Sequence, residues 1–342
     1  MLVLSSGLVV LSGAYFLRKD KKSFIIVTFL GLILLAALRS YTVGPDGNVY
    51  ANYFEMLKGM EFSEIPVYFT KEPIFYIVTK YIQKLGFGLQ GWYAIIGGVY
   101  ALAVCIIVYR YSEHLLISIL SLFSLGYFVF SFTGLRQTVA LSIILFSAVA
   151  LEKKRYVMFA VLLFLATVFH NSAIIFLIMI FIRDKKISAR QYLLLLASGF
   201  LMVRVFSGQI YALLNQLLED SERFGGYSNY TYGLSWAGFV IQGAIFVFCI
   251  YFMDSETLKR NRLFLNLSFV GVFFQMCTVL VAEMFRVSMY FSVFNIVLVA
   301  NVCMGNRFTK RSKGAVIFLI LASVILYFIN SHIGYQYSFY WQ

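Results

Sequence analysis

The sequence predicts an all-α, polytopic integral membrane protein of about twelve transmembrane helices, with both termini outside the cytoplasm. Three observations carry that expectation. Of the 342 residues, 61% are hydrophobic and only 13% are charged, against about 45–50% apolar and about 25% charged in an ordinary soluble domain. The mean hydropathy is +0.84, and apolar runs approaching the roughly 20 residues of a membrane span recur from end to end. The runs are continuous, unlike the short alternating segments of a β-barrel. The same composition excludes a disordered chain and a disulfide-stapled secreted protein. It leaves one polytopic domain over residues 1–342.

Taken in order, the spans fall near residues 2–17, 23–38, 91–109, 115–131, 137–151, 156–169, 172–182, 191–206, 234–252, 263–281, 287–304 and 314–330. The seventh is short and draws on its neighbours. Met1 to Val10 carries no basic stretch, and the first basic cluster, Arg18 to Lys22, follows the first apolar run. The first span is therefore expected to stay in place rather than be cleaved as a signal peptide. Cys105, Cys249, Cys277 and Cys303 lie inside apolar runs with no ligand or redox spacing. They read as packing residues, and neither a metal nor a cofactor is expected.

A net charge of +13 would suit nucleic acid if it formed a patch, so its placement decides its meaning. Nineteen of the 28 basic residues fall in alternate connections: Arg18–Lys22, Arg110–His114, Glu152–Arg155, Arg183–Arg190, Asp254–Arg262 and Asn306–Lys313. With their six acidic residues subtracted, those connections hold the whole +13. This is the pattern of cytoplasmic loops. It sets the orientation and speaks against a nucleic-acid partner.

The two longest connections, 39–91 and 207–233, then lie outside, where function is to be sought. The first contains Glu72-Pro73 followed by an amphipathic stretch to about residue 86, with Pro at a helix N1 position and a basic last turn. Reading it as a thirteenth span would invert every later connection, so it is expected to be an interfacial or re-entrant helix. The second carries Glu219, Asp220, Glu222 and Arg223, then Tyr227, Tyr230 and Tyr232. That polar and aromatic surface suits sugar stacking or an interfacial tyrosine belt equally.

Polar side chains gather at the outer ends of the spans, where charge at membrane depth is costly and tends to be functional. Arg39 closes the second span, with Asp46 just beyond. Arg136 and Gln137 open the fifth, His170, Asn171 and Ser172 join the sixth to the seventh, Arg204 ends the eighth, and Glu283 and Arg286 lie between the tenth and eleventh. Together they describe a basic, partly desolvated pocket for an anion near the lipid headgroups. Singly, each has a plainer role. An arginine can snorkel to the interface, Val43 to Asn48 can be a simple turn, His170 can cap one, and Glu283 can pair with Arg286 at i,i+3.

The order of short motifs resembles a known family. Arg39 is followed by Gly44-Pro45-Asp46 and Tyr50, then Glu72-Pro73-Ile74-Phe75, Gly134-Leu135-Arg136-Gln137-Thr138-Val139-Ala140, Phe169-His170-Asn171-Ser172-Ala173, and Arg286 with Tyr290-Phe291. This is similar to the EpsG branch of the Wzy-type bacterial polysaccharide polymerases of O-antigen, capsule and exopolysaccharide synthesis. Pro45 and Gly47 depart from its usual pattern, which has a small polar residue and Thr there.

The resemblance implies a membrane glycosyltransferase at the outer face of the bacterial cytoplasmic membrane. It would join oligosaccharide repeat units carried on undecaprenyl diphosphate, with lipid-linked donor and acceptor, membrane lipid, a chain-length regulator and a flippase as partners. Arg136, Arg286 and Arg39 would clamp the diphosphates, because the guanidinium fork matches phosphate oxygens. His170 would be the base for the acceptor hydroxyl, with Asp46 or Glu72 as alternatives, while Gln137, Asn171, Glu72, Glu283 and Arg223 would contact substrate. Two rival classes stand beside it. A flippase or transporter should show midmembrane helix breaks and two similar halves, and a polyprenyl-phosphate-sugar transferase would use Asp46 and Glu72 to hold a metal ion.

Overall fold

The computed structural model describes residues 20–218, 236–281, 283–305 and 337–342. The expected spans 2–17 and 314–330 lie outside these residues, as do Arg223 and the tyrosines of its loop. Among the described residues the chain is helical apart from turns and an isolated bridge between Arg39 and Phe339. It divides into two compact units, residues 1–180 with 295–342, and residues 181–294.

Four described helices are long and apolar enough to cross a membrane: Leu89–Tyr111, Leu135–Glu152, Ala189–Gln209 and Ser255–Val279. A fifth arises if Met284–Ser292 and Asn295–Met304 form one broken span. Several expected spans are interrupted. Residues 115–131 form α6 (Leu115–Ser124) and a short α7 (Tyr127–Phe130) parted at Gly126, whose φ of 77° only glycine adopts without strain. The short seventh span is a 3-10 helix, Asn171–Ile178, followed by α10 (Met179–Ile182). The eighth is α11 (Ala189–Leu218), which bends at Phe206 and runs on into the stretch expected as the second outer loop.

In the first unit α1 (Lys21–Ala37) begins at Asp20, whose carboxylate accepts the Lys22 amide at 3.0 Å, an N-cap within the basic cluster Arg18–Lys22. It packs on α5 (Leu89–Tyr111), where Gly97 lies so close that any Cβ would meet that of Ala36. Small residues at such crossings let membrane helices approach where lipid offers no hydrophobic drive.

Residues 39–91 hold three helices, not one: α2 (Gly47–Gly59), α3 (Ile65–Tyr68) and α4 (Pro73–Lys84). They bury Tyr50, Phe54, Leu57, Phe75 and Tyr76 around Trp92 and Tyr93 of α5. The Trp92 indole donates to Thr79 at 3.1 Å. The buried Lys80 ammonium donates to the Leu57 and Lys58 carbonyls at 2.7 and 3.0 Å, capping α2. Ile74, Val78 and Tyr81 of the same helix, and Leu85 just past its end, remain exposed. The expected amphipathic helix is thus the lid of a folded cap, pinned through its polar and aromatic face.

The tail lies along the end of α1. The Ser40 amide donates to the Ser338 carbonyl at 2.8 Å, the Tyr340 amide to the Leu38 carbonyl at 3.0 Å, and the Tyr337 hydroxyl to the Leu35 carbonyl at 2.8 Å.

The second unit comprises α11, α12 (Ala237–Phe252), α13 (Ser255–Met276) and α14 (Met284–Ser292). Asn266, fully buried on α13, accepts from the Tyr192 hydroxyl and donates to the Ile182 and Arg183 carbonyls at 2.8 and 3.0 Å. That stitches a basic connection onto the helices beneath it. The four cysteines are free thiols, three of them buried.

Candidate functional site

Three separate stretches of the first unit meet at one carboxylate. Glu72 precedes Pro73 and takes a left-handed conformation, φ 57° and ψ 49°. That conformation costs a residue with a Cβ about 1 kcal/mol or more and usually persists where other contacts over-determine it. Here they do. Glu72 Oε2 lies 2.7 Å from Nη1 of Arg136, Oε1 lies 2.7 Å from Nδ1 of His170, and Oε1 also accepts the Asn171 amide at 2.8 Å.

Each partner is delivered by a helix end. Arg136 is the second residue of α8 (Leu135–Glu152), where a cation opposes the positive end of the helix dipole, a cost that Glu72 offsets. His170 closes α9 (Tyr156–Phe169) and leaves helical geometry at φ −155° before the 3-10 turn begins. The side chain of Glu72 is 6% exposed, against 28% for Arg136 and 18% for His170. The carboxylate is therefore the floor of the site, and the two basic groups are its accessible face.

Burial disfavours the charged carboxylate of Glu72. The hydrogen bond and charge of His170, the charge of Arg136 and the Asn171 amide outweigh it, and its pKa lies below the usual value. Arg136 also faces the Tyr50 hydroxyl and lies 6.0 Å from the Tyr76 ring centre. Burial pushes both phenols above their usual range, so they stay protonated at neutral pH. The Arg136 Nε is buried without a hydrogen-bond partner.

The other expected residues fall in different places. Asp46 stands at the start of α2, within electrostatic reach of Tyr50, and its side chain makes no cap hydrogen bond. A Cβ on Gly47 would run into the Tyr41 carbonyl oxygen, so the Thr of the usual pattern has no room. Gln137 is buried beside Gly134, and Asn171 contributes its amide while the residue itself is exposed. Arg39 does not join the cluster. It is 2% exposed, with its guanidinium 4.1 Å from the Tyr93 ring centre and 4.7 Å from that of Phe132, and its Nε and Nη1 lack hydrogen-bond partners. Glu283 and Arg286 belong to the second unit, where the Arg286 amide donates to the Glu283 carbonyl at 2.9 Å and its guanidinium stands over Phe285.

Sequence reasoning singled out Glu72, Arg136, His170 and Asn171 but not their convergence, and it gave Tyr50 and Tyr76 no role. Tyr50 had a signal in its place beside Asp46. Among the described residues no three His, Cys, Asp or Glu side chains converge as metal ligands.

The sequence profile of the EpsG family matches residues 22–341. The chain belongs to the EpsG family. That is the family of Wzy-type polysaccharide polymerases, and with the apolar helices it makes this a membrane protein of polysaccharide biosynthesis. Both the cap of residues 39–91 and the Glu72 cluster lie inside the matched region. No curated protein matches the chain, and no solved structure does.

Proposed function

We propose that this EpsG-family protein polymerises undecaprenyl-diphosphate-linked oligosaccharides at the outer face of the bacterial cytoplasmic membrane, with the Glu72 cluster as its active site. The observation that carries the proposal is the single carboxylate shared by Arg136 and His170. Glu72 holds Nδ1 of the imidazole and so leaves Nε2 as the lone pair able to accept a proton. Both Glu72 oxygens are engaged, which makes it a positioning residue and leaves base catalysis to His170.

In the proposed step the acceptor hydroxyl oxygen bonds to the donor's anomeric carbon. The bond from that carbon to the diphosphate oxygen breaks, and its electron pair leaves with the diphosphate. The acceptor proton goes to His170 Nε2 and then to water. With His170 neutral, Arg136 and Glu72 cancel. Once His170 takes the proton the cluster carries one positive charge, formed as negative charge builds on the leaving group. Arg136 lies in the first turn of α8, where the helix dipole also favours an anion. On the family resemblance Arg286 and Arg39 add further cations, and Arg39 reaches a phosphate only if Tyr93 or Phe132 gives way. The exposed apolar side of α4 suits the headgroup layer.

The test is reconstitution of purified protein with a lipid-diphosphate oligosaccharide, read as a ladder of products. Wild type should give the ladder in the presence of a chelator, and His170→Ala should not give it at a comparable rate. A chelator-sensitive ladder restored by Mn²⁺ would favour the metal-dependent transferase. Transbilayer movement of the lipid without product growth would favour the flippase.

A further inference from the structure

Arg39 keeps a permanent charge among aromatic rings. It is 2% exposed, its Nε and Nη1 are buried without hydrogen-bond partners, and among the described residues it makes no ion pair. Ring faces return only part of what it costs to take a guanidinium out of water. The rings around it are held in different ways. Tyr93 belongs to α5 and is packed into the cap. Phe132 lies in the turn between α7 and α8, with its ring centre 6.3 Å from that of Tyr337. Tyr337 and Phe339 come from the tail. Tyr337 is within electrostatic reach of the guanidinium, and Phe339 stands directly opposite Arg39 in the antiparallel bridge, hence on the same face of it.

The tail is lightly fastened. It has the two backbone hydrogen bonds with Ser40 and Leu38, the Tyr337 hydroxyl on the Leu35 carbonyl, and a 3.4 Å contact between the Ser338 and Thr42 hydroxyls. Tyr340 and Trp341 are 52% and 59% exposed. A two-stranded pairing this short is marginal by itself, and segments with few buried contacts open before the rest of a fold. We propose that residues 337–342 are a reversible strap over Arg39, and that lifting it lets the guanidinium meet an oxyanion of the phosphate class. Withdrawing Tyr337 removes the ring beside Phe132, so the wall that has no helix of its own is the one that gives way, while Tyr93 stays. The proposal rests on the proposed function only for the molecule that brings the anion, and it adds what controls when Arg39 takes part.

The experiment uses the full-length protein in nanodiscs, with the four native cysteines replaced and Ser40→Cys and Ser338→Cys introduced. These positions face each other one step from the bridge, where paired Cα atoms lie about 5.5 Å apart, a span that a disulfide closes. Modification of Arg39 by phenylglyoxal is read by mass spectrometry. The reduced protein should label, and inorganic diphosphate should slow the reaction. The oxidised protein should label at least about tenfold more slowly and form polymer more slowly. Tyr337→Phe, with both serines kept, retains the ring but loses the bond to Leu35, and should label about fivefold faster than its parent, the shift expected for one hydrogen bond. Equal labelling of the oxidised and reduced forms overturns the proposal, as does labelling in neither, labelling indifferent to diphosphate, or a cysteine pair that never crosslinks. Labelling needs no turnover. A lock that stops labelling while polymer forms at full rate upholds the strap and counts against a part for Arg39 in the proposed reaction. Polymer formation that halts on oxidation with labelling unchanged does the reverse.

Discussion

Nδ1 of His170 lies 2.7 Å from Oε1 of Glu72, and the amide of the very next residue, Asn171, donates to that same oxygen at 2.8 Å. A side chain and the adjoining backbone thus meet one carboxylate oxygen from two directions. The other oxygen is left for Arg136.

Glu72→Gln should separate charge from shape. The amide keeps the volume but cannot accept from both Arg136 and His170 as an anion does, and it leaves Arg136 with a weaker partner. Chemical denaturation in detergent should show a loss of about 1–3 kcal/mol, and turnover should fall by about tenfold or more. Unchanged stability together with unchanged turnover would remove Glu72 from the site.

The pH dependence has a definite sign. The folded pKa of Glu72 is depressed, so its stabilising contribution is complete above the unfolded value of about 4.3 and is lost as pH falls through the folded value. The stability gap between wild type and Glu72→Gln should persist at pH 5 and close below about pH 4. A gap already gone at pH 5 would mean that the carboxylate is not held by its cations.

Binding and proton transfer should come apart at the two basic groups. Arg136→Lys and Arg286→Lys keep charge but lose the planar fork, and both should lose most polymerising activity. Arg136→Ala should do worse. His170→Ala should leave binding of the lipid-linked substrate largely intact while lowering the rate by about 10²–10⁴. Near-normal polymer from the Lys variants and His170→Ala would reduce these residues to interfacial anchors.

Lys80→Met removes two buried contacts to the Leu57 and Lys58 carbonyls. It should destabilise the cap by about 1–3 kcal/mol and raise protease sensitivity between Gly59 and Glu72. Wild-type resistance would mean that the aromatic packing around Trp92 alone holds the cap.

Orientation can be read with single cysteines at two exposed sites, introduced after the four native cysteines are replaced. Lys58→Cys should react with an impermeant thiol reagent added outside spheroplasts, and Asp184→Cys only after lysis. The opposite pattern would put the Glu72 cluster on the cytoplasmic side.

The helices and the candidate residues were legible in the sequence to different degrees. Runs such as 91–109 and 137–151 reappear as Leu89–Tyr111 and Leu135–Glu152, because hydropathy at span length depends on local composition alone. Pro73 announced the start of α4 for the same kind of local reason. The cap hid its first two helices, since α2 and α3 are stabilised by burial against Trp92 and Tyr93 rather than by their own periodicity. The bridge from Glu72 to Arg136 and His170 joins residues 64 and 98 positions apart, and no spacing rule reaches that far. Arg39 looked like a phosphate ligand from its place at a helix end, yet two aromatic faces enclose it.

The pairing of the tail with α1 makes the order of biosynthesis matter. Tyr337 is 302 positions after the Leu35 carbonyl it binds. At the usual pace of translation, about 5–20 residues each second, the two emerge roughly 15–60 s apart. By the end of that interval Ser40 and Tyr93 have long been synthesised, while the tail residues that pair with Leu38 and Ser40 are only then being completed. The backbone hydrogen bonds that flank Arg39 are thus closed only after synthesis has passed Tyr340, and a lesion near residue 338 would be felt at residue 39.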